Sequence, residues 1–342
     1  MSFCVLKTTF QTIMKFEVTD MNWLTDFRKN LSDNNERIRK RKTYGHFAKK
    51  IVKKAVKEKN DSLLEQIRKE YIKQTVDDLY DENSDPQLRE CIKFVKKHGP
   101  AMFCYPEAEE KHYSLDDICY DENIGLFYAF WRGKKMYFKR SYTDKKTVLN
   151  YINNSYWEQS AKSPHRYLAE NFNVENGDVI LDIGAAEGNF TLEVIDKLQK
   201  AYLFECDPEW IEALNYTFAD YKDRICIVPK YVSDKSSEHK ITIDDFCKEK
   251  GIEKLGMIKM DIEGAEICAL KGAREMLRSG YIKKCAVCVY HNVNDAKKIE
   301  KLLPNYTKAY VDGYIMSAIW RLHDLKYPYW VKGVLRAELI NS

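Results

Sequence analysis

The sequence predicts an α/β fold with a doubly wound, mostly parallel sheet, because strand-like and helix-like segments alternate through its second half. The first observation is an apolar run at 179–181 that leads into a turn containing Gly184 and Gly188. The second is a further apolar run at 201–204 that ends in the acid Glu205. A buried strand that turns on glycines into a helix is typical of the opening of a βαβ nucleotide-binding unit.

The residues of this turn indicate which nucleotide it binds. A dinucleotide site needs Gly-x-Gly-x-x-Gly and places an anionic pyrophosphate at the helix N-terminus. Here Ala186 replaces the second Gly, and the carboxylates of Asp182 and Glu187 would repel phosphate and attract a cation. S-adenosylmethionine is such a ligand, because it carries a sulfonium and an ammonium but no phosphate. Glu205 stands about 20 residues beyond the glycines, where a carboxylate accepts hydrogen bonds from both ribose hydroxyls. We therefore predict an S-adenosylmethionine site, and an ordinary strand-to-helix turn is the alternative.

The composition excludes several classes of protein. With 342 residues, of which 44% are hydrophobic, the chain is long enough for an α/β core and a second region. No stretch reaches the roughly 18 apolar residues of a membrane span, and residues 1–16 lack the apolar core of a secretory signal. We therefore expect a cytoplasmic protein without an integral membrane segment. The net charge of +4 is too small to indicate nucleic-acid binding.

The ten cysteines are scattered along the chain, without the spacing of a zinc site or a disulfide scaffold. One Cys-x-x-Cys occurs, at Cys285 and Cys288, inside a predicted strand. Positions three apart on a strand point to opposite faces, so we predict two buried thiols.

Residues 1–119 are predicted to form a helical accessory region. Between Glu36 and Lys57 basic residues dominate, and the apolar residues recur at helical spacing. We interpret the basic side as a solvated helix face, and a patch for an anionic partner is the alternative. Residues 62–65 have the form of a capping box, and a further helix is predicted from its cap Asp85 to a stop at Gly99.

Residues 120–150 are predicted to contain a β-hairpin, and the main domain then occupies residues 151–342. The hairpin consists of aromatic strands at 126–131 and 134–139, joined by a turn that contains a Gly. Residues 151–172 are predicted to be a helical lead-in whose position before the first core strand lets it fold over the mouth of the cofactor site, and a linker helix broken at Pro164 is the alternative.

The remaining elements alternate as a parallel sheet requires. We predict helices at 208–221, from 242, from 266 to about 279 and from 295, and strands at 225–228, 257–261 and 285–291. Such a sheet binds ligands outside the carboxyl ends of its strands. The acidic and basic groups at these ends are therefore expected on one rim: Asp182, Glu205, Asp261, Glu263 and His291.

Methyl transfer from a sulfonium to an alcohol requires the removal of a proton. His291 is the best general base, because its ordinary pKa near 6.5 matches neutral pH. Glu263 is a second candidate, since burial beside Asp261 would raise a carboxyl pKa. A divalent metal held by these three residues is an alternative. We do not favour it, because carboxylates at strand ends more often cap the following helix.

Several motifs together resemble the FkbM family of S-adenosylmethionine-dependent methyltransferases. The most specific is Ile258-Lys-Met-Asp-Ile-Glu-Gly-Ala-Glu266, and the lead-in residues Glu158-Gln159 and Ser163-Pro-His165 are similar to a bacterial branch of that family. The other matching stretches are 182–190, 204–208, 242–246 and 289–295. The resemblance covers roughly residues 120–303, a little over half of the chain.

The resemblance implies a class I methyltransferase, with a Rossmann-like seven-stranded sheet, that methylates a hydroxyl, often on a sugar or polyketide. We expect the acceptor to be a sugar, a glycan or a glycosylated metabolite. The alternatives are a non-sugar small molecule, or a non-catalytic cofactor-binding module that recruits an anionic partner. A nicotinamide-dependent oxidoreductase is disfavoured by Ala186.

The resemblance also assigns site residues by motif. Asp261, Glu263 and His291 would face the acceptor, and no metal ligand is assigned. The cofactor would contact Asp182, Gly184, Ala185, Glu187, Gly188, Asn189, Glu205, Cys206, Ser233, Asp234 and Asp261, with Gln159 and His165 from the lead-in. The aromatic stretch from Trp320 to Trp330 departs from the family pattern, at the edge that normally helps to shape the acceptor pocket.

Overall fold

The computed structural model describes residues 85–317 and 328–340, together with Lys69, Ile72, Lys73, Thr75, Val76 and Tyr80. The helix predicted between Glu36 and Lys57 and the capping box at 62–65 lie outside the described residues. In the part of the chain that is described, no helix combines the length and the apolar composition that crossing a membrane requires.

Helix α1 (Pro86–His98) begins and ends as predicted. The Asp85 side chain accepts a hydrogen bond from the Gln87 N–H at 2.8 Å, and Gly99 ends the helix with φ +89°. The helix buries Phe94 and Val95 in a cluster that also contains Trp330, near the end of the chain.

The predicted hairpin is confirmed as part of a three-stranded antiparallel sheet. Its strands are β1 (Cys119–Asp121), β2 (Leu126–Trp131) and β3 (Lys134–Tyr137), in the order β1-β2-β3. Arg132 and Gly133 both have positive φ, at 47° and 83°, as the tight hairpin turn requires. Strand β1 is too short to show an alternating pattern, and the sequence did not predict it.

The helical lead-in predicted over 151–172 is wrong in its extent. Helix α2 (Lys145–Glu158) is capped by Asp144 and ends before Pro164 is reached. The next segment bonds to its own polar side chains, because the Gln159 amide donates to the His165 carbonyl at 3.2 Å and the Ser163 hydroxyl accepts from the His165 N–H at 3.1 Å. Such local bonds offer the backbone an alternative to a helix.

The alternating strands and helices that the sequence predicts are present in the order expected, together with six strands that it did not predict individually. The elements that follow β3 and α2 are β4 (Asp178–Ile183), α3 (Asn189–Val194), β5 (Leu198–Phe204), α4 (Pro208–Thr217), β6 (Ile225–Val228), β7 (Tyr231–Val232), β8 (Lys240–Ile241), α5 (Ile243–Lys250), β9 (Leu255–Met260), α6 (Glu266–Lys271), α7 (Arg274–Arg278), β10 (Ile282–Cys288), α8 (Asp295–Leu302), β11 (Tyr306–Tyr310), β12 (Ile315–Met316), β13 (Trp330–Val331) and β14 (Val334–Leu339). The strands that were not predicted are β7, β8, β11, β12, β13 and β14.

The central sheet has seven strands in the order β11-β14-β10-β9-β4-β5-β6. Strands β10, β9, β4, β5 and β6 are parallel, whereas β14 is antiparallel to both of its neighbours. The chain builds outward from β4 through β5 to β6 and then returns to β9 on the other side of β4. The strand order therefore reverses between β4 and β9, and an open α/β sheet binds ligands at such a switch point.

Two helix predictions need correction at their ends. The helix expected from 266 to about 279 is divided into α6 and α7 at Gly272, whose carbonyl accepts the Asp244 N–H at 2.9 Å. The helix expected to reach Tyr221 ends at Thr217 and continues as a 3₁₀ turn. The prediction for the two strand cysteines is confirmed, because Cys285 and Cys288 are free thiols buried in different hydrophobic clusters.

Candidate functional site

A cleft of about 450 Å³ opens at the switch point, where the glycine turn after β4 meets the end of β9. It contains eight of the residues that the sequence predicts for the site: His165, Gly184, Ala185, Glu187, Asn189, Asp261, Glu263 and His291. These residues come from the lead-in, from the glycine turn and from the ends of β9 and β10. The topology therefore joins four separate stretches of chain in one cavity.

The glycine turn is shaped by close contact with its neighbours. A Cβ on Gly184, at φ +78°, would lie 2.0 Å from the Asp261 carbonyl oxygen. A Cβ on Gly188, also at φ +78°, would lie 2.7 Å from the Phe218 ring. Ala186 has φ +46°, a left-handed conformation that costs a residue with a Cβ roughly 1–2 kcal/mol. Such strain is held in place by its surroundings and clusters at functional sites.

Asp182 lies beneath the cleft and does not line it. Its carboxylate is fully buried, lies 3.1 Å from the Lys259 ammonium and accepts a 2.7 Å hydrogen bond from the Thr191 hydroxyl. Lys259 also donates to the Gly184 carbonyl, so the ion pair supports the glycine turn. Burial alone would lower the pKa of Lys259, but the charges of Asp182 and Asp261 outweigh it and raise that pKa.

Asp261 is the centre of the polar network in the cleft. One carboxylate oxygen accepts from the Tyr167 hydroxyl at 2.9 Å, and the other accepts from the Tyr290 hydroxyl at 3.1 Å. The same two oxygens lie 3.3 Å from His165 Nε2 and 3.4 Å from His291 Nε2. Burial would raise the pKa of Asp261, but the hydrogen bond and charge of His165, with the charges of Lys259 and His291, hold it well below its usual range.

The side chain of His291 is 6% exposed and lies within 3.5 Å of three carboxylates. Its Nδ1 lies 3.0 Å from Glu266, and its Nε2 lies 3.4 Å from Asp261 and 3.5 Å from Glu263. Neither ring nitrogen makes a hydrogen bond of good geometry with any residue that the structure describes. Burial opposes protonation of the imidazole, but Glu266, Asp261 and Glu263 outweigh it and raise the pKa of His291.

Two more acids, Glu158 and Glu187, line the cleft. Glu187 accepts a 2.6 Å hydrogen bond from the Tyr151 hydroxyl, and burial raises the pKa of Glu187. Burial, reinforced by the charges of Glu187 and Asp261, raises the pKa of Glu158 to about 7. Burial therefore disfavours the charged form of both acids, and a cation bound beside them would favour it again.

The other predicted site residues lie outside the cleft. Glu205 accepts backbone hydrogen bonds from Ala186 at 2.9 Å and from Cys206 and Asp207 at 2.8 Å, so it ties the end of β5 to the glycine turn. Ser233 bonds to Asp234, which faces a different groove beside α6. Gly188 and Gln159 act as packing and support residues.

Sequence reasoning assigned no role to five residues that line the cleft: Met102, Tyr151, Tyr167, Lys259 and Tyr290. Lys259 carried a usable signal, because it precedes Asp261 by two positions and such residues share one side of a strand. Tyr290 adjoins the predicted base. The two lead-in tyrosines gave no signal, because Tyr151 lies within α2 whereas Tyr167 lies in the irregular segment after it.

The set of residues in the metal alternative, Asp261, Glu263 and His291, differs from the set that the structure brings closest together. Asp261, Glu266 and His291 have potential ligand atoms within 4.8 Å of one another. However, Asp261 approaches Nε2 and Glu266 approaches Nδ1, on different sides of the ring. Glu263, the third ligand in the sequence hypothesis, has a side chain that is 92% exposed. A histidine nitrogen binds one ion, so this geometry does not favour the metal alternative.

The structure is that of a Rossmann-like α/β protein with a cleft at the switch point of its sheet. A family model for the methyltransferase FkbM domain matches residues 136–310, slightly more than half of the chain. The chain therefore belongs to the FkbM methyltransferase family, as its motifs predicted. Among curated proteins, no match is found.

Solved structures of methyltransferases are similar to this chain. The FkbM methyltransferase of Methylobacillus flagellatus KT is 20% identical, with a TM-score of 0.40, over 56% of this chain and 54% of that one. An rRNA methylase of Streptococcus thermophilus is 12% identical, with a TM-score of 0.34, over 49% of this chain and 90% of that one. TrmK of M. capricolum, solved with S-adenosyl-homocysteine, is 14% identical, with a TM-score of 0.33, over 51% of this chain and 70% of that one. The chain spans about half the length of the first of these structures.

Proposed function

We propose that the protein is an S-adenosylmethionine-dependent O-methyltransferase that acts on a hydroxyl of a sugar, a glycan or a glycosylated metabolite. The position of His291 carries this proposal. Its imidazole lines the cleft, is almost fully buried, and has carboxylates within 3.5 Å of both ring nitrogens without a hydrogen bond of good geometry to them. A buried base with an unsatisfied nitrogen fits the removal of a proton from an alcohol.

The residues of the cleft fit the cofactor. S-adenosylmethionine, when bound, supplies a methyl group on a positively charged sulfur. Gly184, Ala185 and Asn189 would hold its methionine part beside Glu187, whose buried carboxyl group would become charged against the ammonium of the ligand. His165 lines the same cavity and is supported by Gln159.

The adenosine part would lie along the ends of β5 and β6. Glu205 already accepts three backbone N–H groups, and a carboxylate accepts about four hydrogen bonds, so one position is left for a ribose hydroxyl. Cys206 adjoins this carboxylate. Ser233 and Asp234 would lie near the adenine, as the family resemblance implies.

His291 would take the proton of the acceptor hydroxyl at Nε2. Glu266 faces Nδ1 at 3.0 Å and stabilises the imidazolium that forms, while Asp261 stays ionised beside Nε2. A general base in such a position contributes typically about 10² to 10⁴ in rate. Glu263 is the second candidate for the base, and its side chain is 92% exposed.

The test is a methyl-transfer assay with labelled S-adenosylmethionine and a panel of sugars, glycans and glycosylated small molecules. We expect His291→Ala to keep its affinity for S-adenosylhomocysteine and to lose turnover by at least about tenfold. The matched control is His239→Ala, because His239 is 81% exposed and lies outside the cleft. Wild-type turnover in His291→Ala would remove this residue from the mechanism.

The same assay separates the alternatives. Methylation of aglycones alone would indicate a non-sugar acceptor. A non-catalytic module would bind S-adenosylhomocysteine, methylate nothing on the panel and recruit an anionic partner in a salt-sensitive manner. The basic segment between Glu36 and Lys57 that motivates this second alternative lies outside the described residues.

A further inference from the structure

A second groove, which we call the basic groove, lies between α6–α7 and the junction of α8 with β11. Its volume is about 610 Å³, and none of its lining residues lines the cleft. Four exposed cations stand around it: Lys271, Arg274, Arg278 and Lys301. Asp234 is the one acid among the described residues that line it, so the groove carries a net charge of about +3 by ordinary ionisation.

These four cations have no carboxylate partner in the part of the chain that the structure describes. Lys298, on the outer side of α8, shows the contrast, because it lies 3.9 Å from Asp295. Most charged residues on a mixed surface have opposite charges nearby. A row of unpaired cations beside a cavity therefore attracts an anionic partner.

The groove also has an apolar component that a small anion would not use. Its floor contains Leu270, Leu277 and Leu302. At the same end of the sheet, Tyr281 is 44% exposed and Ile340 is 54% exposed. The two features are continuous, because the Ile340 N–H donates to the carbonyl of Asn305, a groove residue, at 3.0 Å, and Tyr281 follows Arg278 by three positions.

We propose that this face binds the surface of an anionic lipid membrane, with the cations of the basic groove at the headgroups and Tyr281 and Ile340 in the interface. Each Lys or Arg near an anionic membrane surface contributes favourably, and an aromatic residue with a polar tip suits the headgroup boundary. A free phosphate would occupy the groove but leave both apolar side chains in water. The proposal does not depend on the proposed function, since no residue lines both the groove and the cleft. Asp234 is the one groove residue that the family resemblance assigns to the cofactor, and none of the test variants changes it.

The experiment is vesicle co-sedimentation of the full chain. Vesicles of phosphatidylcholine alone are compared with vesicles containing equal parts of phosphatidylglycerol and phosphatidylcholine, at low and high salt. We expect binding to the anionic vesicles only, and release at high salt. Arg274→Glu with Arg278→Glu should weaken this binding by at least about tenfold.

Two further variants separate the contributions. Tyr281→Ser with Ile340→Ser should weaken binding several-fold and leave its salt dependence unchanged, because no charge is altered. Lys146→Glu with Lys222→Glu is the matched control, since it makes the same change of charge at exposed positions outside the groove. Thermal unfolding checks that each variant is folded, and Lys271→Gln with Lys301→Gln replaces the arginine variant if that one does not fold.

Three results would overturn the proposal. The first is an absence of binding to the anionic vesicles. The second is equal binding by the groove variants and the control. The third is an oligonucleotide or tripolyphosphate that binds through the groove arginines while the vesicles do not, which would assign the groove to a soluble anion.

Discussion

Lys259 and Asp182 stand opposite each other in neighbouring parallel strands, and their charged groups lie 3.1 Å apart beneath the cleft. Both side chains are almost completely removed from water. The pair joins β4 to β9 at the point where the strand order reverses. Because Lys259 also donates to the Gly184 carbonyl, the pair connects the central sheet to the loop that forms the cleft.

The first prediction concerns this buried pair. Lys259→Met should lower the free energy of unfolding by about 3–5 kcal/mol, because it leaves the Asp182 carboxylate buried without a counter-charge. The double variant Asp182→Asn with Lys259→Met should recover most of the loss. Urea unfolding measures both values. A single variant within about 0.5 kcal/mol of the wild type would contradict the assigned role.

The second prediction compares two glycines near β4. Gly184 and Gly177 both have positive φ, at 78° and 86°, but only Gly184 has a close neighbour, the Asp261 carbonyl. Gly177→Ala should lower the free energy of unfolding by about 1–2 kcal/mol, which is the cost of a left-handed backbone for a residue with a Cβ. Gly184→Ala should lower the free energy of unfolding clearly more, because the new Cβ forces the turn and Asp261 apart. For the same reason it should abolish the binding of S-adenosylhomocysteine. Equal effects in unfolding and calorimetric titration would show that the contact is unimportant.

The sequence predicted the elements whose signals are local. The cap at Asp85 and the turn at Gly133 follow from side-chain and backbone preferences that act within a few residues. The parallel sheet followed from the alternation of apolar strands with helices, which needs no knowledge of distant contacts. The lead-in was predicted wrongly, because Gln159 and Ser163 bond to nearby backbone groups in a way that helical periodicity does not show.

The sequence was less informative about which groups meet. It placed Asp182 in the ligand site, whereas the structure pairs Asp182 with Lys259 on the neighbouring strand. The sequence could not show this pairing, because it depends on the register between two distant strands. It named two acids with His291, Asp261 and Glu263, and it missed Glu266, which lies closest to the ring, 3.0 Å from Nδ1. The aromatic C-terminal stretch departed from the family pattern, and the structure shows that Trp330 packs against α1.

The third prediction is a pH dependence and rests on the proposed function. His291 has a raised pKa, so the base form needed for turnover appears only as the pH rises through that value. Glu263→Gln removes one of the charges that raise it, and the rising limb of kcat/KM should shift to lower pH. The shift should be small, because Glu263 is mostly exposed and its charge is screened by water.

The control for this profile is Glu238→Gln, because Glu238 is an 87% exposed acid beside another histidine, His239, outside the cleft. Its profile should match that of the wild type. A rising limb that stays in place or moves to higher pH in Glu263→Gln would contradict the role given to His291.

The fourth prediction concerns the contact between the accessory residues and the C-terminal segment. The Tyr80 hydroxyl accepts the Tyr329 N–H at 2.6 Å, and the Tyr329 hydroxyl lies 2.6 Å from the Thr75 hydroxyl. Tyr80→Phe removes the acceptor for this buried N–H. It should therefore lower the free energy of unfolding, measured by thermal unfolding, by about 1–3 kcal/mol. Tyr120→Phe, at a 51% exposed tyrosine, is the control and should be neutral. Equal stability of the two variants would argue against this contact.

The most direct test of the central claim is a calorimetric titration of the wild-type protein with S-adenosylhomocysteine, with NAD as the control ligand. We expect one binding site for S-adenosylhomocysteine, weaker binding in a folded Glu205→Ala variant, and no binding of NAD. The titration should be repeated with and without Mg²⁺ and with the candidate acceptor glycans. If the folded wild type binds S-adenosylhomocysteine under none of these conditions, or binds NAD instead, the methyltransferase site proposed for the cleft is wrong.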